Sequence, residues 1–227
     1  MEYDRNMTID TLTRFKALLF ADLKLEDYYF EPAFVGQDQP SFAVGRLANA
    51  QTLFARGSMD EAIGCLKEVC ASDSVETRYK LLAWWNLRRF GLAPDSTDGK
   101  VVRGVVLEVM VKGGIEVLAV YEDCSARYIN FSGKMIIWDR KGTEIDSLSQ
   151  TALIAASRAL DYGSPEYTNF PQTDLLRATF LTYAGNRRAE AGPRAENGSS
   201  QLLGDLLKAG AMLMNALIRR AKESSLV

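Results

Sequence analysis

The chain has 227 residues, of which 47% are hydrophobic and 25% charged, as in ordinary proteins of one large or two small domains. Its 27 basic and 29 acidic side chains give a net charge of −2, so there is no broad positive field for a nucleic-acid backbone. No apolar run approaches the roughly 20 residues of a membrane-spanning helix, and residues 1–14 lack the pattern of a secretory signal. We therefore expect a cytoplasmic protein that binds neither nucleic acid nor a membrane.

Cysteine and histidine usage restricts the chemistry. The chain has three cysteines and no histidine. An odd number of cysteines without framework spacing fits reduced thiols. The absence of histidine excludes histidine-dependent nucleophilic triads, an imidazole base and histidine zinc sites. Since the sequence also lacks a phosphate loop, a dinucleotide fingerprint and metal-ligand spacing, we expect no catalytic residue, no metal and no cofactor.

The first predicted elements are helical. Apolar residues at helical spacing predict an amphipathic helix over residues 8–23. Residues 26–40 combine aromatic residues with two prolines and a glycine, and this composition predicts a loop. A second helix is predicted over residues 42–56 and ends at Gly57, because glycine readily adopts the left-handed conformation that is common at helix ends.

Another helix is predicted directly after Gly57, so the chain makes a tight turn there. Ser58 and Glu61 have the spacing of a capping box, in which two side chains bind the first backbone N–H groups. The turn of a tetratricopeptide repeat has a glycine, a large residue two positions later, and then a small residue followed by an aliphatic one. This chain has the same order at Gly57, Met59, Ala62 and Ile63. The hairpin therefore resembles one such repeat.

The 34-residue period of these repeats provides a second correspondence. Adding 34 to Leu47, Leu53 and Gly57 gives Leu81, Leu87 and Gly91. The resemblance covers residues 44–92 and implies a docking surface for a peptide or another protein. The predicted partner-binding residues are Arg56, Trp85 and Asn86. The alternative interpretation is a helical hairpin that packs only on its own chain.

A boundary is predicted at residues 93–100, where Pro, Asp, Ser, Thr and Gly cluster. It separates a helical region, residues 1–94, from a second region, residues 100–227, and we expect the two to pack as one unit. Four strands are predicted over residues 101–111, 115–123, 124–131 and 134–139, and the short turns between them predict an antiparallel meander. Both faces of the first strand are apolar, so we expect helices on each face of the sheet.

Helices and a loop are predicted after the sheet. One helix covers residues 147–163, with a capping box at Ser147 and Gln150, and another covers residues 174–185. Residues 186–200 are charged and contain Gly and Pro, which predicts a loop. A long amphipathic helix is predicted over residues 201–225. Its apolar stripe is interpreted as core, with homodimerisation through this helix as the alternative.

One predicted hairpin concentrates polar and aromatic side chains. A cation, a phenol, an amide and an indole together are able to recognise a small polar ligand. The candidate ligand-binding residues are Arg127, Tyr128, Asn130, Lys134 and Trp138. Ordinary turn chemistry and side-chain packing are the alternative explanation for these residues.

The sequence thus predicts an α+β protein: an N-terminal helical hairpin region, then a four-stranded antiparallel meander backed by long C-terminal helices. We expect a noncatalytic adaptor or accessory subunit that binds another protein through the hairpin, the C-terminal helix or an exposed sheet edge. One alternative is a small-ligand sensor with a pocket between sheet and helices. A second alternative is an enzyme that uses carboxylates or a cofactor without histidine.

Overall fold

The structure of the chain is a computed structural model that describes residues 19–27, 41–112, 114–139, 141–165, 176–191 and 198–224. Within these ranges we number five α-helices and six β-strands. The helices are α1 (Phe42–Ala55), α2 (Met59–Ala71), α3 (Thr77–Arg89), α4 (Glu144–Ala159) and α5 (Gly198–Ser224). The strands are β1 (Gly104–Val111), β2 (Gly114–Tyr121), β3 (Ala126–Ile129), β4 (Met135–Trp138), β5 (Leu176–Leu181) and β6 (Arg187–Ala191). Residues 8–18 of the predicted first helix and residues 28–40 of the predicted loop lie outside the described residues.

All six strands belong to one antiparallel sheet in the order β4-β3-β2-β1-β5-β6. Strands β1 to β4 form the meander that the sequence predicts. The chain then passes through α4 and returns to the free side of β1, where β5 and β6 complete the sheet. The α+β class is confirmed, but the sheet has six strands rather than four.

Strand β5 lies where the sequence predicts a helix over residues 174–185, and that prediction is wrong. Leu176, Ala178 and Phe180 pack against the helices on one face of the sheet. Arg177 and Thr179 are buried on the opposite face. The segment therefore has the two-residue period of a strand buried on both faces, and pairing with β1 determines its conformation.

Strand β6 lies within the loop predicted over residues 186–200, so that prediction is wrong for Arg187–Ala191. Its outer side is joined to Ser164, which exchanges two backbone hydrogen bonds with Arg188 at 2.8 and 2.7 Å. Residues 192–197 lie outside the described residues.

Helices α1 and α3 end in the same way. The N–H groups of Gly57 and Ser58 donate to carbonyl oxygens in the last turn of α1 at 3.0 and 2.9 Å. At the end of α3, the N–H groups of Gly91 and Leu92 donate to the equivalent carbonyl oxygens at 3.0 and 3.1 Å. Both glycines have a positive φ, near +80°, as the Schellman motif requires. The sequence period of 34 residues thus relates two identical helix ends.

The predicted capping boxes are absent. Ser58 is the N-cap of α2, but its side chain makes no capping hydrogen bond, so the pair with Glu61 does not form a box. Helix α4 begins before its predicted start, because the Thr143 hydroxyl accepts a hydrogen bond from a first-turn N–H at 3.2 Å. The proposed box at Ser147 and Gln150 therefore lies inside the helix.

The sheet lies between two helical layers. Val106, Ala119 and Tyr121 share a hydrophobic cluster with α1, α2 and α3. The alternate residues Val105 and Leu107 share a second cluster with α4 and α5 on the other face. This arrangement agrees with the two apolar faces predicted for β1.

Helix α5 supplies much of the second cluster. Leu203, Leu206, Leu213 and Leu217 are buried there, so the interpretation of its apolar stripe as core is confirmed for these residues. Leu207 remains exposed on the outer side. No helix among the described residues combines the length and apolarity needed to cross a bilayer.

Candidate functional site

Residues 19–27, which we call the strap, lie between α1, α3 and the sheet. Side chains of several elements hold the strap through hydrogen bonds to its backbone. The strap ends in a short 3-10 turn, Leu25–Asp27. The groove between α1 and α3 that it occupies is called the strap groove below.

Asn86 of α3 is the central residue of the strap groove. It is fully buried. Its Oδ1 accepts a hydrogen bond from the N–H of Leu25 at 2.9 Å, and its Nδ2 donates to the carbonyl oxygen of Leu23 at 3.2 Å. A side-chain amide has both an acceptor oxygen and donor N–H groups, so Asn86 binds an N–H and a C=O group of the strap backbone at the same time. This recognition does not depend on the side chains of the bound segment.

Gln51 of α1 contacts the strap from the opposite wall. Its Nε2 donates to the carbonyl oxygen of Leu25 at 2.7 Å. Both backbone groups of Leu25 are therefore bound, one by each helix. The Leu25 side chain is fully buried in the hydrophobic cluster of α1, α2 and α3. Leu25 is thus the apolar anchor of the strap.

The sheet holds the first part of the strap. The buried hydroxyl of Tyr121 in β2 donates to the carbonyl oxygen of Leu19 at 2.8 Å. Asn186, in the turn between β5 and β6, donates through Nδ2 to the carbonyl oxygen of Phe20 at 3.0 Å. Main-chain recognition therefore extends along the strap from the sheet to the helices.

Two carboxylates of the strap are paired with arginines. Glu26 forms a two-pronged ion pair with Arg89 of α3, at 3.0 and 3.1 Å. The hydrogen bonds from Arg89 lower the pKa of Glu26. Asp22 lies 3.4 Å from the guanidinium of Arg188 in β6, but burial raises the pKa of Asp22 despite that cation. The groove therefore binds an acidic and apolar segment.

The predicted partner-binding residues occupy different environments. Asn86 is buried and hydrogen-bonded to the strap, and its role in partner binding stays a prediction. Arg56 is exposed at the end of α1. Trp85 is partly exposed, and the guanidinium of Arg89 lies 5.2 Å from its ring centroid. A role for Arg56 and Trp85 in partner binding stays a prediction.

Arg127 of the predicted ligand-binding set lies under α3. It is buried, and its Nη1 donates to the carbonyl oxygens of Ala126 and Trp138 at 2.9 and 3.0 Å. Its Nη2 lies 3.4 Å from the carboxylate of Glu76, the N-cap of α3. These contacts join the β3–β4 hairpin to the helical layer.

Tyr128 and Trp138 of the same set point to the opposite face of the sheet. Both are buried in the cluster formed with α4 and α5. Burial raises the pKa of the Tyr128 phenol to about 12. Adjacent strand residues alternate between faces, so Arg127 and Tyr128 do not contribute to one pocket.

The remaining two predicted ligand residues belong to the turn between β3 and β4. Asn130 accepts hydrogen bonds through Oδ1 from the N–H groups of Ser132 and Lys134, at 3.0 and 2.9 Å. The Lys134 side chain is exposed. Asn130 therefore stabilises the turn, as the alternative interpretation expects, and the five residues do not converge on one site.

Sequence reasoning overlooked a buried ion-pair row on the sheet. Arg177 of β5 lies between Glu108 of β1 and Glu190 of β6, at 3.7 and 2.6 Å. Glu108 and Arg177 are both buried. The sequence does carry a signal for this row. Glu108 is the one charged residue of β1, and Arg177 is the one charged residue of β5.

Burial disfavours the thiolate form of two cysteines, Cys70 and Cys124. All three cysteines are free. Burial raises the pKa of the Cys70 thiol to about 12 and also raises that of Cys124, so both are protonated at neutral pH. Over the described ranges, no cluster of Cys, Asp and Glu side chains has the arrangement of a metal site.

Comparison of the chain with protein-family models, with curated proteins and with solved structures finds no match. The functional argument therefore rests on the geometry above.

Proposed function

We propose that this protein is a noncatalytic adaptor that binds a peptide segment of another protein in the strap groove. One observation carries the proposal: Asn86 and Gln51 bind both backbone groups of Leu25 from opposite walls. Because these hydrogen bonds are made to the main chain, they suit any segment that adopts the conformation of the strap, which ends in a 3-10 turn. The strap is then the resident occupant that a partner peptide replaces.

The contacts of the strap define the chemistry of the partner. An apolar side chain fills the position of Leu25, and a carboxylate at the next position pairs with Arg89. A second carboxylate, at the position of Asp22 in the strap, pairs with Arg188. The expected partner is therefore an acidic segment with an apolar anchor that adopts the turn of the strap.

The tethered strap competes with any partner peptide. A covalently attached segment has an effective concentration on the order of millimolar, so free peptide competes poorly until the strap is weakened. Only the fraction of chains with an open groove binds, and the apparent affinity falls by that fraction. A test must therefore alter the strap and the groove separately.

The first experiment uses a fluorescent peptide with the strap sequence, residues 19–27, and measures its anisotropy with the full chain. Glu26→Arg in the chain places two cations together at Arg89 and weakens the strap. We expect the unmodified peptide to bind this variant more tightly than the unmodified chain. The peptide restores the carboxylate that the variant has lost.

A charge exchange then identifies the groove. Arg89→Glu in the chain should prefer a peptide carrying Glu26→Lys over the unmodified peptide. Arg158→Glu is the matched control, because Arg158 is also an exposed arginine in the last turn of a helix, α4, but lies outside the strap contacts described above. The proposal is contradicted if the Arg89→Glu chain binds both peptides equally. It is also contradicted if no variant of the chain binds either peptide.

A further inference from the structure

Ala21 has an uncommon backbone conformation within the strap. Its φ angle is +51°, and among the described residues only one other non-glycine residue, Cys124, has a positive φ. In this left-handed region the Cβ atom of an L-residue approaches the following carbonyl oxygen, so non-glycine residues adopt it at a cost. For β-branched residues it is a genuine outlier. The strap conformation therefore restricts which residue types are accepted at this position.

Contacts on both sides of Ala21 hold this conformation in place. The carbonyl oxygen of Phe20 accepts a hydrogen bond from Asn186 at 3.0 Å. The carboxylate of the next residue, Asp22, lies 3.4 Å from the guanidinium of Arg188. A costly backbone conformation persists only where the surrounding contacts determine it. A segment bound by the same groups therefore adopts the left-handed conformation at the position between them.

The side chain of Ala21 is enclosed as well. Ala21 is only 4% exposed and belongs to the hydrophobic cluster of α1, α2 and α3. Because protein interiors are close-packed, atoms added at its Cβ displace neighbouring groups. Backbone conformation and space are thus two separate restrictions, and together they favour a residue no larger than alanine.

We propose that the strap groove selects glycine or alanine at the position of Ala21, which makes this position a specificity determinant for the partner segment. The inference rests on the proposed function, since it describes the same groove with a partner bound. The partner then has a small residue directly before the carboxylate that pairs with Arg188. Its apolar anchor follows at the position of Leu25, and the carboxylate that pairs with Arg89 comes directly after the anchor.

The first test compares variants of the peptide of residues 19–27 in the anisotropy assay with the Glu26→Arg chain. We expect Ala21→Val in the peptide to weaken binding by about tenfold or more, because valine is both β-branched and larger than alanine. Ala21→Gly should bind within about threefold of the unmodified peptide, since relief of the left-handed conformation offsets the lost methyl group and the greater entropy of the free peptide.

Two further peptides sharpen this comparison. Ala21→Asn should also bind about tenfold or more weakly, because asparagine tolerates the left-handed conformation but exceeds the enclosed space. Lys24→Val is the matched control for valine. Lys24 is an exposed residue of the same strap, so we expect this peptide to bind like the unmodified one.

The same selectivity applies to the strap within the full chain, and tryptic cleavage after Lys24 measures it. The residue that follows Lys24 is the buried anchor Leu25, so cleavage requires the strap to leave the groove and follows the population of the open state. We expect Ala21→Val in the chain to accelerate this cleavage by about tenfold or more, whereas Ala21→Gly has little effect. Circular dichroism shows whether each variant retains its fold.

The outcomes separate this inference from the proposed function. Equal binding of the unmodified, Ala21→Val and Ala21→Asn peptides to the Glu26→Arg chain overturns the inference and leaves the proposed function standing. Absence of binding by every peptide overturns the proposed function, and the inference with it. Cleavage after Lys24 that is no faster in the Ala21→Val chain than in the unmodified chain also overturns the inference.

Discussion

At the scale of single residues, Gly210 shows how closely α5 approaches the sheet. A Cβ atom at this position would lie 2.4 Å from Cδ1 of the buried Leu107. Gly204 belongs to the same helix, and the structure shows open space around its Cβ position among the described residues. Alanine substitutions at these two glycines therefore distinguish the effect of helix propensity on stability from the effect of packing between α5 and the sheet.

We expect Gly204→Ala to raise the free energy of unfolding by about 0.5–1 kcal/mol, because alanine favours a helix over glycine. Gly210→Ala gains the same propensity but displaces Leu107, and overpacking of this kind costs about 1–3 kcal/mol. Urea denaturation of both variants measures the difference. Equal stabilisation by the two substitutions would show that α5 moves away from β1 without cost.

At the scale of elements, the row formed by Glu108, Arg177 and Glu190 fixes β5 against its neighbours. Glu108 lies opposite Arg177 in the register of β1 and β5, and Arg177 lies opposite Glu190 in that of β5 and β6. A slip of β5 by one residue would move Arg177 to the other face of the sheet. The ion pairs therefore disfavour every register but one.

Removing one member of this row tests its contribution. Arg177→Met removes the cation that lies beside the buried Glu108 carboxylate, and we expect the free energy of unfolding to fall by about 3–5 kcal/mol. The double variant Glu108→Leu with Arg177→Met should recover most of that loss, because it replaces both buried charges with apolar side chains. Glu190→Gln is the milder control, since Glu190 is one-third exposed. A double variant no more stable than Arg177→Met alone would contradict this assignment.

The elements also show which parts of the fold local sequence determines. Strands β1 to β4 and helices α1 to α3 could be predicted, because each has one clear period and a glycine or turn at its end. Strand β5 could not, since it is buried on both faces and its leucines and alanine also suit a helix. Its pairing with β1, distant in sequence, overrides that local preference.

The strap groove was predictable only in part. Asn86 is a polar residue on the buried face of α3, but its partners Leu25 and Leu23 precede it by 61 and 63 residues. No local period reports such a contact. The same holds for Asn186 and the carbonyl oxygen of Phe20, which lie 166 residues apart. A groove built from long-range backbone contacts becomes visible only in the folded chain.

At the scale of the whole molecule, the strap and one hydrophobic cluster connect the helical layer to the sheet. The cluster contains residues of α1, α2, α3 and of the strands β1 and β2. The strap accepts hydrogen bonds from Tyr121 in the sheet and from Asn86 in α3. Separation of the layers would expose this apolar surface and leave the buried strap carbonyls without partners, so we expect the two layers to unfold together.

The three tryptophans make this expectation measurable, because Trp84 and Trp85 lie in α3 and Trp138 lies in β4. Trp138→Phe leaves fluorescence from the helical layer alone, and Trp84→Phe with Trp85→Phe leaves fluorescence from the sheet alone. Within each variant, urea denaturation followed by fluorescence and by far-ultraviolet circular dichroism should give one midpoint, as a two-state transition requires. If the α3 signal changed at lower urea than the circular dichroism, the helical layer would be a separate cooperative unit. The strap would then be a connection between two independently stable regions and not part of a shared core.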